Sequence, residues 1–172
     1  MLFFWLTLTI LVLQRTCELF FAARNARIIR SLGGYEVGAE HYRYLVTLHV
    51  LFITSLICEV QLSPAPFTLP SWWPMTFAVF LAAQVLRYWC MWSLGSRWNT
   101  RILILPDTPP VRRGPYRYLR HPNYLVVAIE LVSLPISFGA YFTALTFSLL
   151  NAWLLLRIRI PMEEKAVHRT ED

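Results

Sequence analysis

Between Gly114 and Tyr124 the chain reads Gly-Pro-Tyr-Arg-Tyr-Leu-Arg-His-Pro-Asn-Tyr, and after one more apolar stretch it reads Arg-Ile-Arg-Ile-Pro-Met-Glu-Glu, from Arg157 to Glu164. Pro122 suits the first turn of a helix, which leaves His121 near the cap and the first-turn amides unpaired. A helix start of this kind is a ready anion site. Tyr116, Tyr118 and Tyr124 offer flat apolar faces with hydroxyl tips, suited to stacking an adenine or sealing an interface. Arg159 and Glu163 lie four apart, so a continuing helix sets a cation and an anion on one face, and Pro161 can bend it. Such a pair is either an exposed salt bridge of little energetic weight or two charges aimed into one cavity. The tyrosines and arginines equally suit an aromatic and basic belt at a membrane surface.

Whatever positions these residues is built from apolar helices. The chain has 172 residues, 56% hydrophobic and 15% charged, with a mean hydropathy of +0.46. That balance excludes an ordinary soluble domain. A chain this short has no room for several large domains, so residues 1–172 are expected to form a single all-α, polytopic membrane bundle. Crossing about 30 Å of hydrocarbon takes roughly 20 apolar residues. Such runs occur near Leu2–Ala23, Tyr44–Val60 and Trp73–Leu94. The first carries Gln14, Arg15 and Glu18, with the two charges spaced to compensate each other on one helix face. Tyr124–Ile158 is too long for one crossing, and Ser133–Ala140 places Pro and Gly at its middle. This pattern predicts a C-terminal helical hairpin, which makes about five transmembrane helices.

The basic residues alternate loop by loop. Arg24, Arg27, Arg30 and Arg43 come after the first span, and none lies in Gln61–Trp72. Arg97, Arg101, Arg112, Arg113, Arg117 and Arg120 come after the third, none lies at the hairpin tip, and the tail holds Arg159, Lys165 and Arg169. Arginine and lysine collect on the cytoplasmic side of short loops, so the N-terminus is expected outside and the C-terminus and site in the cytoplasm. The net charge of +6 then needs anionic lipid headgroups rather than nucleic acid as its partner. The N-terminal Met-Leu-Phe-Phe lacks the positive n-region of a cleaved signal. Cys17, Cys58 and Cys90 are scattered one per span, with no metal-like clustering, so neither a disulfide nor a metal site is expected. His49, Arg87 and Glu130 fall inside spans; each either satisfies a neighbouring helix or lines a cavity. Trp72 and Trp73 are expected to anchor the outer interface, while Trp98 and Asn99 are candidates to line a pocket.

Gly-x-Tyr, then Arg-His-Pro-x-Tyr, then two crossings, then Arg-x-x-x-Glu-Glu resembles the isoprenylcysteine carboxyl methyltransferase family. The N-terminal half, with Gln14–Tyr42 and Leu45–His49, is similar to its small five-span microbial members, some of which resemble alkylpyrone O-methyltransferases. The resemblance implies S-adenosylmethionine as methyl donor, bound by about residues 97–172, and a lipophilic small-molecule acceptor reached from the bilayer. It implies cofactor-binding roles for Val111, Tyr116, His121, Pro122, Asn123, Tyr124 and Glu163. Arg159 matches a substrate-binding arginine and is the residue expected to act at the reacting oxygen. Where the family commonly has His-x-Leu-Val, this chain has Thr108, Pro109, Pro110 and Val111, and it ends soon after Glu164.

A sulfonium donor carries its own reactivity, so the protein mainly has to align an oxygen nucleophile and exclude water. An acceptor that arrives ionised needs no general base, which makes His121 a binder. The leading expectation is O-methylation of an alkylpyrone or related hydroxylated lipid. Isoprenylcysteine carboxyl methylation, phospholipid amine N-methylation, and a non-enzymatic carrier or assembly role are the alternatives. The residues leave the oligomeric state open.

Overall fold

The computed structural model describes residues 1–63 and 67–168; Pro66 and Arg169 lie outside them. Six helices dominate: α1 (Leu2–Ser31), α2 (Ala39–Leu62), α3 (Trp73–Leu94), α4 (Pro122–Ser137), α5 (Tyr141–Leu154) and α6 (Ile160–His168). The segment Leu155–Arg159 joins α5 to α6 as a π-helical turn. Four helical stretches are long and apolar enough to cross a membrane: Leu2–Ser31, Ala39–Leu62, Trp73–Arg97 and Tyr141–Ala166. The fifth, α4, is shorter.

The expected hairpin is present. Pro122 opens α4 at its first position, Pro135 is carried inside it, and Gly139 turns the chain at φ +75° into α5. At 1.5 Å per residue α4 spans about 24 Å, less than the hydrocarbon thickness, because a proline fixes its start and a glycine its end. The start of α5 is capped from another helix: Glu59 of α2 accepts from the Phe142 and Thr143 amides at 2.9 and 2.8 Å. A carboxylate there satisfies two orphan donors and complements the positive end of the helix.

The first helix runs eight residues further than its apolar stretch, to Ser31 rather than Ala23. The overhang carries Arg24, Arg27 and Arg30 beyond the apolar stretch. Two strands were not expected. β1 (Tyr35–Val37) and β2 (Ile102–Ile104) pair antiparallel, with Glu36 opposite Leu103. Their β-branched and aromatic residues suit a pleated surface, and the ribbon ties the α1–α2 connection to the loop after α3. Glu36 reinforces it, bridging Arg30 at 2.7 Å and Arg101 at 2.6 Å. Ile102, Ile104 and Ala166 form a small core there, with Val37 and Met162 against it.

The main core lies toward the opposite end, where Phe4, Leu8, Phe52, Leu56, Phe80, Leu134 and Phe138 are buried together. Trp73 packs edge-on against Phe3 at 5.2 Å, and Trp72 is half exposed. The outward faces are apolar, as at Ile10, Leu13 and Phe20 of α1 and Leu145, Leu149 and Leu156 of α5 and the turn after it. In lipid such faces need no cover.

A charged cluster bridges α1, α3 and α4. Arg15 donates to Glu18 at 2.6 Å and to both Glu130 oxygens at 2.7 and 2.8 Å. Gln84 donates to Glu130 at 2.5 Å, and Gln14 joins Glu18 to Gln84. Arg87 donates to Glu130 through Nε at 3.1 Å and through Nη2, and approaches Glu18 at 3.5 Å. Two guanidiniums thus face two carboxylates. Glu18, Arg87 and Glu130 are buried, and this arrangement meets the steep requirement that intramembrane charges be paired. Of the two readings open for Arg87 and Glu130, the helix-to-helix one holds. His49 instead turns to its own helix, with Nδ1 2.8 Å from the Leu45 carbonyl.

Candidate functional site

The C-terminal ends of α1 and α3 meet the starts of α4 and α6 around a cavity of about 710 Å³, within the range of cofactor and ligand pockets. Its walls are held by backbone-directed hydrogen bonds. Asn99 donates to the Ala22 carbonyl at 2.8 Å, and Asn25 of α1 donates back to the Trp98 carbonyl at 2.8 Å. These two amides pin the loop after α3 onto α1.

Gly114 explains how the loop enters the site. Its φ is +57°, and a Cβ there would run into the Ser93 side chain. Glycine alone tolerates both conditions. The close approach buries Pro115 and brings Tyr116 to the cavity wall. Burial pushes the Tyr116 phenol up, and the neighbouring Cys90 and Glu163 add to the shift, so it stays protonated as a donor.

At the start of α4, His121 holds the cap position with φ −127°, and its carbonyl accepts from Tyr124 N–H at 3.1 Å. The His121 and Tyr124 rings stack 5.3 Å apart at 13°. The Tyr124 hydroxyl donates to the Glu163 carboxylate and accepts from Arg159 Nε at 3.2 Å. Arg159, 6% exposed, also donates to the Thr100 carbonyl at 2.7 Å. His121 Nδ1 is 3.7 Å from Glu163, and Nε2 is 3.5 Å from Glu164.

The π turn sets the aim of Arg159. Pro161 has no N–H to offer the Arg157 carbonyl, and its ring would press on that same group in an α-helix. The chain widens instead, and Ile160 N–H reaches back five residues to the Leu155 carbonyl. One extra residue in the turn rotates α6 by about 100° relative to a regular continuation of α5. Arg159 and Glu163 both face the cavity as a result.

Of the residues singled out from sequence, Val111, Tyr116, His121, Asn123, Tyr124, Arg159 and Glu163 line this cavity. Pro122 does not; it is fully buried and sets the helix start beneath them. Trp98 and Asn99 line it too, whereas His49, Arg87 and Glu130 do not. Sequence reasoning missed Thr100, whose contribution is a backbone carbonyl and carries no side-chain signal. It also gave no role at the cavity to Arg101, Arg112, Arg117 and Arg120, which line it; their spacing speaks only of orientation in the membrane.

The cavity suits a polar cofactor. Among the described residues, the buried His121 Nε2, Asn123 Oδ1 and Trp98 Nε1 have no hydrogen-bond partner. Buried polar atoms are seldom left so, and three around one cavity are what a ligand with donors and acceptors would satisfy. The polar lining combines carboxylate, imidazole, amide, guanidinium and phenol groups.

The model of the isoprenylcysteine carboxyl methyltransferase (ICMT) family matches residues 75–169. The uncharacterized protein YpbQ of Bacillus subtilis (strain 168) is 43% identical, over 95% of this chain and 96% of its own length. An uncharacterized protein of Haemophilus influenzae is 29% identical over 97% of this chain and 96% of its own. No solved structure matches.

Proposed function

The chain belongs to the isoprenylcysteine carboxyl methyltransferase family, a family of membrane methyltransferases, and from that membership we propose that it methylates an oxygen of a lipophilic acceptor using S-adenosylmethionine. The convergence of Arg159, Tyr124 and Glu163 at one end of the cavity carries this reading. When bound, the cofactor supplies an electrophilic methyl group on a sulfonium sulfur. Glu163 and the His121 imidazole hold its cationic and polar groups, with Tyr116, Asn123, Tyr124 and Val111 completing the wall and Pro122 fixing the helix start. Arg159 holds the anionic oxygen of the acceptor, and its tether to Thr100 keeps that oxygen in line. The apolar helices around the cavity exclude water.

The acceptor class we favour is an alkylpyrone or related hydroxylated lipid, whose acidic enol arrives ionised. A prenylated cysteine carboxylate offers the same fork-shaped partner to Arg159. A phospholipid amine fits less well, because its cationic headgroup would meet the buried Arg159 guanidinium. The whole chain acts as one domain, with the cofactor part in about residues 97–172.

Titration of detergent-purified protein with S-adenosylmethionine tests the cofactor assignment. Glu163→Gln is expected to weaken binding about tenfold, the scale of one lost charge-assisted contact, with the thermal melting temperature unchanged. His121→Ala is expected to act in the same direction. Unchanged affinity in both variants would remove the cofactor from this site.

We further propose that the N-terminus lies outside and that the site faces the cytoplasm, on the alternation of arginines. A reporter fused after Asp172 is expected inside and one inserted beside Pro66 outside. Finding both on one side would break the five-crossing arrangement.

A further inference from the structure

Beside the main cavity lies a second, shallower groove of about 470 Å³, with Arg97, Arg112 and Arg113 around the Pro109–Val111 segment. Its arginines differ in kind from those of the charged cluster and the ribbon. Arg15, Arg30, Arg87 and Arg101 all pair with carboxylates. Arg97 is held instead by the Pro109 carbonyl at 2.8 Å, and Arg113 by the Ser93 carbonyl at 2.7 Å. Among the described residues neither they nor Arg112 forms a salt bridge.

The difference matters physically. A carbonyl fixes the direction of a guanidinium while leaving its charge uncompensated and most of its five donors free. Two such anchored forks and the exposed Arg112 therefore converge with their orientation already set, which lowers the ordering cost of gripping an anion. Planar guanidinium forks match phosphate oxygens in particular.

The depth of the groove narrows the source of that phosphate. The last turns of α3 and the following loop expose Trp89, Trp92 and Tyr118, at 52%, 86% and 76%. Exposed Trp and Tyr of this kind mark the headgroup level of a bilayer, where anionic lipids present phosphodiesters to nearby basic residues.

We propose that the Arg97–Arg112–Arg113 groove is a binding site for the phosphodiester of an anionic phospholipid. The proposal does not depend on which acceptor the cavity takes. It shares the Pro109–Val111 wall and two arginines with the main cavity, so a bound headgroup sits directly behind the cavity lining.

Native mass spectrometry of the full chain in a neutral detergent, titrated with dioleoylphosphatidylglycerol or dioleoylphosphatidylcholine, tests this. The first phosphatidylglycerol is expected to bind at least tenfold more tightly than phosphatidylcholine. Arg97→Gln with Arg112→Gln is expected to erase that preference. Arg112→Gln alone, an exposed side chain without hydrogen bonds among the described residues, is expected to reduce it several-fold without touching the fold. Arg43→Gln, on α2 outside the groove, is expected to leave it intact. Equal binding of the two lipids by the native protein, or equal loss from Arg43→Gln, would overturn the proposal. Displacement of the lipid by millimolar inorganic phosphate would also overturn it, by assigning the groove to a free anion.

Discussion

Replacing Glu130 with Leu is expected to cost about 3–5 kcal/mol of stability, the usual consequence of removing one partner from a buried ion pair. Glu130 is the hub of the cluster, accepting from Arg15, Gln84 and Arg87. Its loss strands two guanidiniums against the single carboxylate of Glu18. Thermal melting in detergent reads the effect directly, and Arg87→Leu is expected to be comparably severe. The informative variant is the double one. With Arg87 and Glu130 both replaced by Leu, the surviving charges are Arg15 and Glu18, which already pair at 2.6 Å. The double variant is therefore expected to be more stable than either single one, with a coupling of about 1–3 kcal/mol across the cycle. Additive losses would show that the residues act independently and that the cluster is not an energetic unit.

The second large effect belongs to Arg159. Its guanidinium is buried, tethered to Thr100 and Tyr124, and on our reading has its remaining donors directed at an anionic oxygen. Hydrogen bonds to charged groups contribute about 1.5–3 kcal/mol, so Arg159→Ala is expected to lower kcat/KM roughly 10- to 100-fold. Cofactor affinity should stay within about threefold, because Glu163 and the α4 start remain in place. Lys is expected to rescue only part of the loss, keeping the charge without the planar fork. A contact present equally in ground and transition state appears in KM, and one that tightens during transfer appears in kcat. Long-chain hydroxypyrones, a farnesylated cysteine and a phospholipid amine can be compared as acceptors in the same assay. If Arg159→Ala reduced cofactor affinity as much as Glu163→Gln and left acceptor dependence unchanged, the two charges would not have separate roles.

Local signals carried far in this chain. Trp73–Leu94 could be read at its observed bounds because an N-terminal Trp-Pro and a C-terminal Gly frame an unbroken apolar run. The hairpin could be read from Pro135 and Gly139 in the same way. What escaped was non-local. Three-residue strands such as Tyr35–Val37 and Ile102–Ile104 exist only because each finds the other across the chain. Arg15 and Glu18 were legible as a pair, but their joining to Arg87 and Glu130 depends on how three helices rotate against one another. At the site, the Arg159–Glu163 spacing suggested a shared face, and Pro161 suggested a bend. The form the bend takes, a widened turn, depends on how Pro161 meets the Arg157 carbonyl, and the residue type alone does not distinguish it from a kink.

The ion cluster also has a history during synthesis. The third helix emerges carrying Arg87 before its main counterion exists, since Glu130 is still to be made. A lone arginine at the centre of a newly inserted helix costs roughly 2.5–3.5 kcal/mol by insertion measurements. Glu18, already delivered by the first helix, is the acid available to it, and in the finished protein it remains 3.5 Å away. The nascent α3 thus has reason to leave the insertion channel beside α1 and not alone into lipid, and α4 then joins a pair that is already waiting for its carboxylate. The order of the charges along the chain is in this sense an assembly schedule.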